Sequence, residues 1–352
     1  MRRPIALVVA LLLGGCSGDG SSDTTTTALP PTSAATSTAA PSTVVTTDQP
    51  GTTGTPATTA TSTPASPDGA PCPIFPADNP WRTDVSDLPV HPDSATFIDS
   101  IGRDGHLHPD FGTVWEEGQI GIPFTTVGAE QPLVPVSFGY EDESDPGPYP
   151  IPPDAPIEGG VDADGDRHVL VVDTDNCVLY EMFDAHPRED GSWEAMAGAV
   201  FDLTSNDLRP DFWTSADAAG LPIFPGLVRY EEVVEEGRID HALRFTASPT
   251  RRAFIHPATH FASDDDDPDL PPMGLRLRMK AGYDCSGFSA EVVVICDALR
   301  TYGMFLADNG SDWFITGSHD MRWDDERLAD LKLIPGDAFE VVDTGEPVIT
   351  DR

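Results

Sequence analysis

The segment "RHVLVVDTDNCVLYEMF", Arg167–Phe183, decides the fold class. It contains two runs, "RHVLVVD" (167–173) and "CVLYEMF" (177–183), rich in β-branched and aromatic residues and parted by "TDN". Such side chains suit a pleated, packed surface, and a short Asx-containing break lets the chain reverse. The pair reads as a β-hairpin.

Further strand candidates follow it in the chain. They are "GAVFDL" (198–203), "HALRFTA" (241–247), "RAFIHPA" (252–258), "LRLRMKA" (275–281), "FLAD" to "WFITG" (305–317) and "FEVVD" (339–343). Proline and glycine punctuate the chain densely between them. The number and spacing of the strands predict a mainly β domain, an antiparallel β-sandwich or jelly-roll-like fold with a few peripheral helices. Those helices are short. Asp93 can cap "SATFIDSI", with Gly102 as the stop. "SADAAG" (215–220) reads as a single turn and "RYEEVVEE" (229–236) as helical. In "SAEVVVICDALRTYG" (289–303) Ser289 caps, Val292, Ile295, Leu299 and Tyr302 share a face, and Gly303 ends the helix. "DDERLADLKL" (324–333) is the last helical segment.

The start of the chain is a different material. Arg2 and Arg3 precede the apolar run Ile5–Leu13, which at nine residues is too short to span a bilayer. A cleaved export signal fits that pattern. "LGGC" (13–16) resembles the lipobox of bacterial lipoproteins, and the resemblance implies cleavage before Cys16 and lipidation there. Acyl chains would then hold the protein to the lipid bilayer on the extracytoplasmic face of the cell membrane, each buried CH₂ contributing about 0.8 kcal/mol. Residues 16–70 are saturated with Thr, Ser, Ala and Pro and cannot bury enough apolar surface to offset ordering entropy. They read as a disordered stalk with a root-mean-square reach of roughly 40 Å. Three segments result: a signal peptide (1–15), a lipidated Cys with its stalk (16–70), and one β-rich domain (71–352) of sufficient length for a single large core.

Composition narrows the partners. The formal net charge is −39, and loss of Arg2 and Arg3 with the signal takes it to −41. Such a chain repels nucleic acid. Once Cys16 is lipidated, four cysteines remain, an even count that suggests two disulfides outside the cytoplasm. Of three pairings, Cys285–Cys296 is preferred for its locality, and Cys72–Cys177 would tie the domain entrance to a strand. No C-x-x-C, H-E-x-x-H or G-x-S-x-G occurs, so thioredoxin, zincin and α/β-hydrolase chemistry lack their signatures.

The stretches "FPADNPW" (75–81), "LPVHPDSATFIDSIG" (88–102), "LHPDFGT" (107–113), "DESDPGPYPIPPDAPIEGG" (142–160), "TSADAAGLPIFPGLVRYEEV" (214–233) and "YGMFLADNGSDWFITG" (302–317) resemble an uncharacterised family of secreted bacterial proteins and lipoproteins. With "GDRHVLVVD" and "HALRFT", the likeness covers nearly all of 71–343. It implies secretion and brings no reaction, substrate or catalytic residue.

Candidate sites must therefore come from residue chemistry. On a strand, Arg276, Arg278 and Lys280 would point one way while Leu275, Leu277 and Met279 enter the core. Together with His241 on "HALRF" they could line a groove for an anionic polysaccharide, Arg neutralising a uronate while His abstracts the neighbouring proton, as a lyase requires. "KAGY" (280–283) is similar to part of a strand motif in β-jelly-roll alginate lyases, a likeness confined to those four positions. A glycoside hydrolase needs two flanking carboxylates, and Asp173, Glu181, Asp184, Asp308 and Asp312 lie in or beside predicted strands. Trp313, like Trp193, Trp213 and Trp323, could stack on a sugar. "GRDGHLHPDFGT" (102–113) offers His106, His108 and Asp110 as a metal set if the segment converges, and "FIHPATHF" a looser pair, His256 and His260. "DADGDRHVLVVD" (162–173) departs from a calcium loop at Arg167 and Asp173. No cofactor is expected beyond weakly held calcium at such acidic turns, including the runs at 141–145 and 264–269. The leading expectation is a surface lipoprotein that binds or processes an envelope or environmental polysaccharide. The alternative is a non-catalytic adhesion or protein-interaction domain.

Overall fold

The computed structural model describes residues 72–115 and 118–349. The expected signal peptide, Cys16 and the stalk lie outside the described residues. Strands dominate, arranged in several sheets, and helices are few. The hairpin forms as expected: Val169–Asp173 pairs antiparallel with Val178–Phe183, Asp173 opposite Val178. Ala197–Asp202 adds to one side and Phe124–Val127 to the other, giving a four-stranded sheet.

Its central strand Val169–Asp173 is buried on both faces because its residues are apolar at successive positions rather than alternate ones. Leu170, Val172, Leu179 and Phe201 enter the large core, while Val169, Val171 and Met182 pack with Tyr149, Ile151 and Trp193 in a second, smaller core. Each fully buried side chain of this size contributes about 1.5–3 kcal/mol. The second core is closed by a small sheet of Val136–Phe138, Trp193–Ala195 and His186–Pro187.

The largest sheet has six strands, ordered His108–Asp110, Phe314–Thr316, Leu243–Ala247, Met304–Asn309, Arg276–Met279 and Phe339–Val341. Its pairing corrects the expectation of an antiparallel sheet. Antiparallel ladders predominate, but Leu243–Ala247 runs parallel to Met304–Asn309, and His108–Asp110 parallel to Phe314–Thr316. Phe124–Val127 is likewise parallel to Val169–Asp173. Parallel neighbours need long connections, and local alternation carries no trace of them. One such connection contains the helix Ala290–Thr301, whose Val292, Ile295 and Leu299 are buried as its spacing predicted, and which packs on Arg276–Met279. The helix Ser94–Ile101 and the helical segments Glu231–Glu236 and Asp325–Leu333 also lie where the sequence put them, the last beginning α-helical and tightening to 3₁₀. Disulfides join Cys72 to Cys177 and Cys285 to Cys296, the preferred pairings. Among the described residues no helix is long and apolar enough to cross a membrane.

Candidate functional site

One end of the six-stranded sheet collects charged side chains from distant parts of the chain. Asp110 lies beside Thr316 in the parallel ladder. Thr316 Oγ1 accepts a 2.9 Å hydrogen bond from Arg244 Nη1. Arg244 belongs to Leu243–Ala247, and the register of that strand against Met304–Asn309 slips: Phe245 faces Leu306, but Thr246 faces Asp308. Ala307 is the extra residue of a bulge. Because alternate residues share a face, the bulge turns Asp308 onto the side that carries Arg244. Without it Asp308 would point to the opposite face. The Ala307 carbonyl also accepts from the Ala219 amide at 3.0 Å, so the same irregularity docks the loop 214–220.

That loop delivers Asp217. Its Oδ2 accepts from Arg244 Nε at 3.2 Å and Nη2 at 2.7 Å, and its Oδ1 from the Ala219 amide at 3.1 Å. The segment is not the helical turn its sequence suggested. Ser215 and Asp217 hold the loop with their own side chains, a competing pattern typical of such residues. Gly220 closes it at φ 71°, where a Cβ would stand 2.2 Å from Thr259 Oγ1.

The four-stranded sheet contributes the other half. His168 Nδ1 lies 2.6 Å from Glu158 Oε2, and its Nε2 lies 3.0 Å from the Ala216 carbonyl. Both neighbours accept, so the ring is held as a double donor. Burial opposes that charge, but Glu158 outweighs it and raises His168 to about 9. Glu158 is correspondingly lowered: burial raises it, and His168 more than cancels that effect. Glu181, fully buried, accepts from the Ile223 and Phe224 amides at 2.8–3.0 Å. Burial still lifts it to about 7 against those two donors.

In front of these groups is a cavity of about 390 Å³, with Asp217, Asp308, Asp166, Glu143, His260 and Tyr140 on its walls. Asp308 is half-buried, and its carboxyl is raised first by burial and then by the charge of Asp217. Asp217 is raised as well, burial outweighing the pull of Arg244. Two adjacent carboxyls that both resist ionisation in one concavity are a known arrangement for proton transfer. Asp166, exposed on the same cavity, makes no side-chain hydrogen bond among the described residues. His260 Nδ1 donates to the Ala218 carbonyl at 2.8 Å.

Of the sequence-derived candidates, Asp308 belongs to this cavity and the cationic strand does not. Arg276 is 2% exposed, and its guanidinium donates to the carbonyls of Tyr302, Pro80 and Thr83 while lying over the Phe305 ring. Arg278 pairs with Glu340 and donates to the carbonyls of Val85, Ser86 and Leu88. Lys280 reaches Asp337. These cations fasten the segment 80–88 and the sheet edge; they line no common groove with His241. That ring is buried between Glu232 Oε2 and Arg229 Nη2, both at 3.2 Å, and the Ala242 carbonyl. Trp313 is also structural. Its Nε1 donates to the Gly102 carbonyl at 2.8 Å, and Gly105 and Gly336 leave the space its ring occupies.

His106, His108 and Asp110 do not converge. His106 is exposed beside Pro335, whereas His108 and Asp110 share one face of a strand and line a different cavity. Among the described residues no group of three His, Cys, Asp or Glu side chains could hold a metal ion. His256 pairs with Asp211, apart from His260. The residues that sequence reasoning missed are Asp217, Arg244, His168 and Glu158. Comparison with protein-family models, curated proteins and solved structures returns no match.

Proposed function

We propose that this chain is a lipid-anchored extracytoplasmic protein whose β-rich domain binds a glycan in the Asp217–Asp308 cavity and hydrolyses it by carboxylate acid–base chemistry. The address is supported by the basic start, the short apolar run and "LGGC"; the stalk would carry the domain away from the membrane. A β-sandwich scaffold is supported by the large core to which both the four-stranded and the six-stranded sheets contribute. The reaction rests on one observation: neighbouring carboxyls, Asp217 and Asp308, raised together on the wall of an open cavity that also holds Asp166, whose side chain makes no hydrogen bond among the described residues.

The division of labour follows from those environments. Asp308, kept protonated, gives its proton to the glycosidic oxygen as the carbon–oxygen bond breaks. Asp166 takes a proton from the water that adds to the sugar carbon, and solvent exchange returns both carboxyls to their starting states. Arg244 and Asp217 are positioning residues: their ion pair fixes the charge beside Asp308. Tyr140 supplies an aromatic surface at the rim.

The test is release of reducing ends by the full chain on amino, neutral and uronic polysaccharides. Asp308→Asn and Asp166→Asn should each lower turnover by about 10²-fold or more, the usual scale for a lost acid or base. Absence of both turnover and binding on every polysaccharide would overturn the proposal and favour the non-catalytic adhesion alternative.

A further inference from the structure

A second cavity, about 420 Å³, is lined by His108, Asp110 and Phe314 of the two paired strands at the sheet edge. Its walls are largely aromatic and apolar. Trp115 is 65% exposed, the ring of His108 lies flat on Phe314 with centroids 4.1 Å apart and planes 8° from parallel, and Val114 is also exposed. The polar groups are few. Asp325 is engaged by the amide and hydroxyl of Thr113, which leaves Asp110 and Lys332. His108 Nδ1 is buried yet has no hydrogen-bond partner among the described residues. Flat apolar faces with a few polar groups between them suit sugar rings, which present C–H faces and a hydroxyl rim.

Two features join this cavity to the first. Asp110 is level with Thr316 in the parallel ladder, and Thr316, Arg244 and Asp217 are hydrogen-bonded in series from the sheet into the docked loop. Asp110 also lies close enough to Glu158 and Asp166 to feel both charges, and Asp166 is a wall of the first cavity.

We propose that the two cavities are subsites of one track, Trp115 holding the end of the glycan distant from Asp308, and that this glycan carries amines rather than carboxylates. The proposal rests on the glycan reading of the Asp217–Asp308 cavity and deepens it. The walls carry the acids Asp110, Glu143 and Asp166 against one cation, Lys332, while Asp217 and Arg244 are committed to each other and His168 to Glu158. With a net charge of −39 behind it, such a track repels uronates and attracts ammonium groups. This reverses the anionic ligand expected from the cationic strand, whose charges are spent inside the fold.

The test is calorimetric titration of the full chain, wild type and Asp308→Asn, with glucosamine oligomers of two and six rings, cellohexaose and hexagalacturonate. The glucosamine hexamer should bind best and at least about tenfold more tightly than the dimer, a margin of about 1.4 kcal/mol. Cellohexaose should be weaker and hexagalacturonate weakest. Trp115→Ala, a change at an exposed position, should remove about that tenfold advantage of the hexamer and leave the dimer unchanged. Equal affinity for dimer and hexamer, indifference to Trp115→Ala, or tightest binding of hexagalacturonate would each overturn the track. Trp115-dependent hexamer binding without cleavage by wild type would support the track and defeat the hydrolytic reading. Cleavage with length-independent binding would defeat the track and spare hydrolysis.

Discussion

Arg276 and Arg244 stand on the same six-stranded sheet, and both are nearly buried, at 2% and 3% exposure. Their surroundings differ. Arg276 donates only to backbone carbonyls and stacks on Phe305, so its charge is absorbed into the scaffold. Arg244 is bound to Asp217, whose carboxyl lies on a cavity wall beside a second, Asp308, and burial raises both. A buried cation that satisfies the main chain reports on folding. One that satisfies a carboxyl beside open space sets the protonation of its neighbours, which is where chemistry becomes available.

Substitutions should separate the two regions. Arg244→Ala should have the largest effect on stability, about 3–5 kcal/mol, because it leaves Asp217 buried without its partner. Denaturant unfolding measures this, and a loss under 1 kcal/mol would contradict the pairing. Arg276→Ala should follow at about 3 kcal/mol, since three carbonyls lose their donor, yet glycan affinity of the folded protein should not change. A large affinity loss there would move the site back to the cationic strand.

The third prediction concerns pH. His168 has its folded pKa raised from 6.5 to about 9 after burial is opposed by Glu158, so its contribution is complete below about 6.5 and disappears as pH rises through about 9. The stability gap between wild type and His168→Asn should therefore be widest near pH 6 and close by pH 10. A gap independent of pH would show that His168 is held as a neutral ring. The smallest effect belongs to Lys280→Ala, within about 0.5 kcal/mol, because its partner is a surface pair beside solvent.

Many central strands, the long helix and the Cys285–Cys296 disulfide were legible because each follows from local pattern: β-branched runs, a 3.6-residue period, and close cysteine spacing; Cys72–Cys177, 105 residues apart, is the pairing that remains. The parallel ladders were not, since they depend on which distant segments share a core. Asp308 was legible only as one acid among many. What singles it out is the bulge at Ala307, which no residue type announces. The buried members of the site, the candidate Glu181 among them, did leave a trace. Arg244 in "HALRFTA" and Glu181 in "VLYEMF" are charged groups inside strands whose neighbours are buried, and His168 directly precedes the buried run Val169–Asp173. A charge in such a run must find a partner or be neutralised, so these positions pointed to an internal network. The cationic strand misled for the converse reason: alternation identifies a shared face, and carbonyls from elsewhere in the chain can saturate that face.

The glycines in "GRDGHLHPDFGT" also gain a physical meaning. Gly105 lies where a Cβ would meet Trp313 at 2.7 Å, so this loop is shaped by an indole, and only its end, His108 and Asp110, reaches a cavity.

The central claim is that Asp308 serves function rather than folding, and a paired measurement on Asp308→Asn tests it. Because its carboxyl already resists ionisation, replacement by a neutral amide should change unfolding free energy by less than about 1 kcal/mol, while turnover on an amino-sugar polymer falls about 10²-fold or more. Unaltered turnover, or a loss of activity that merely follows a loss of fold, would contradict the account.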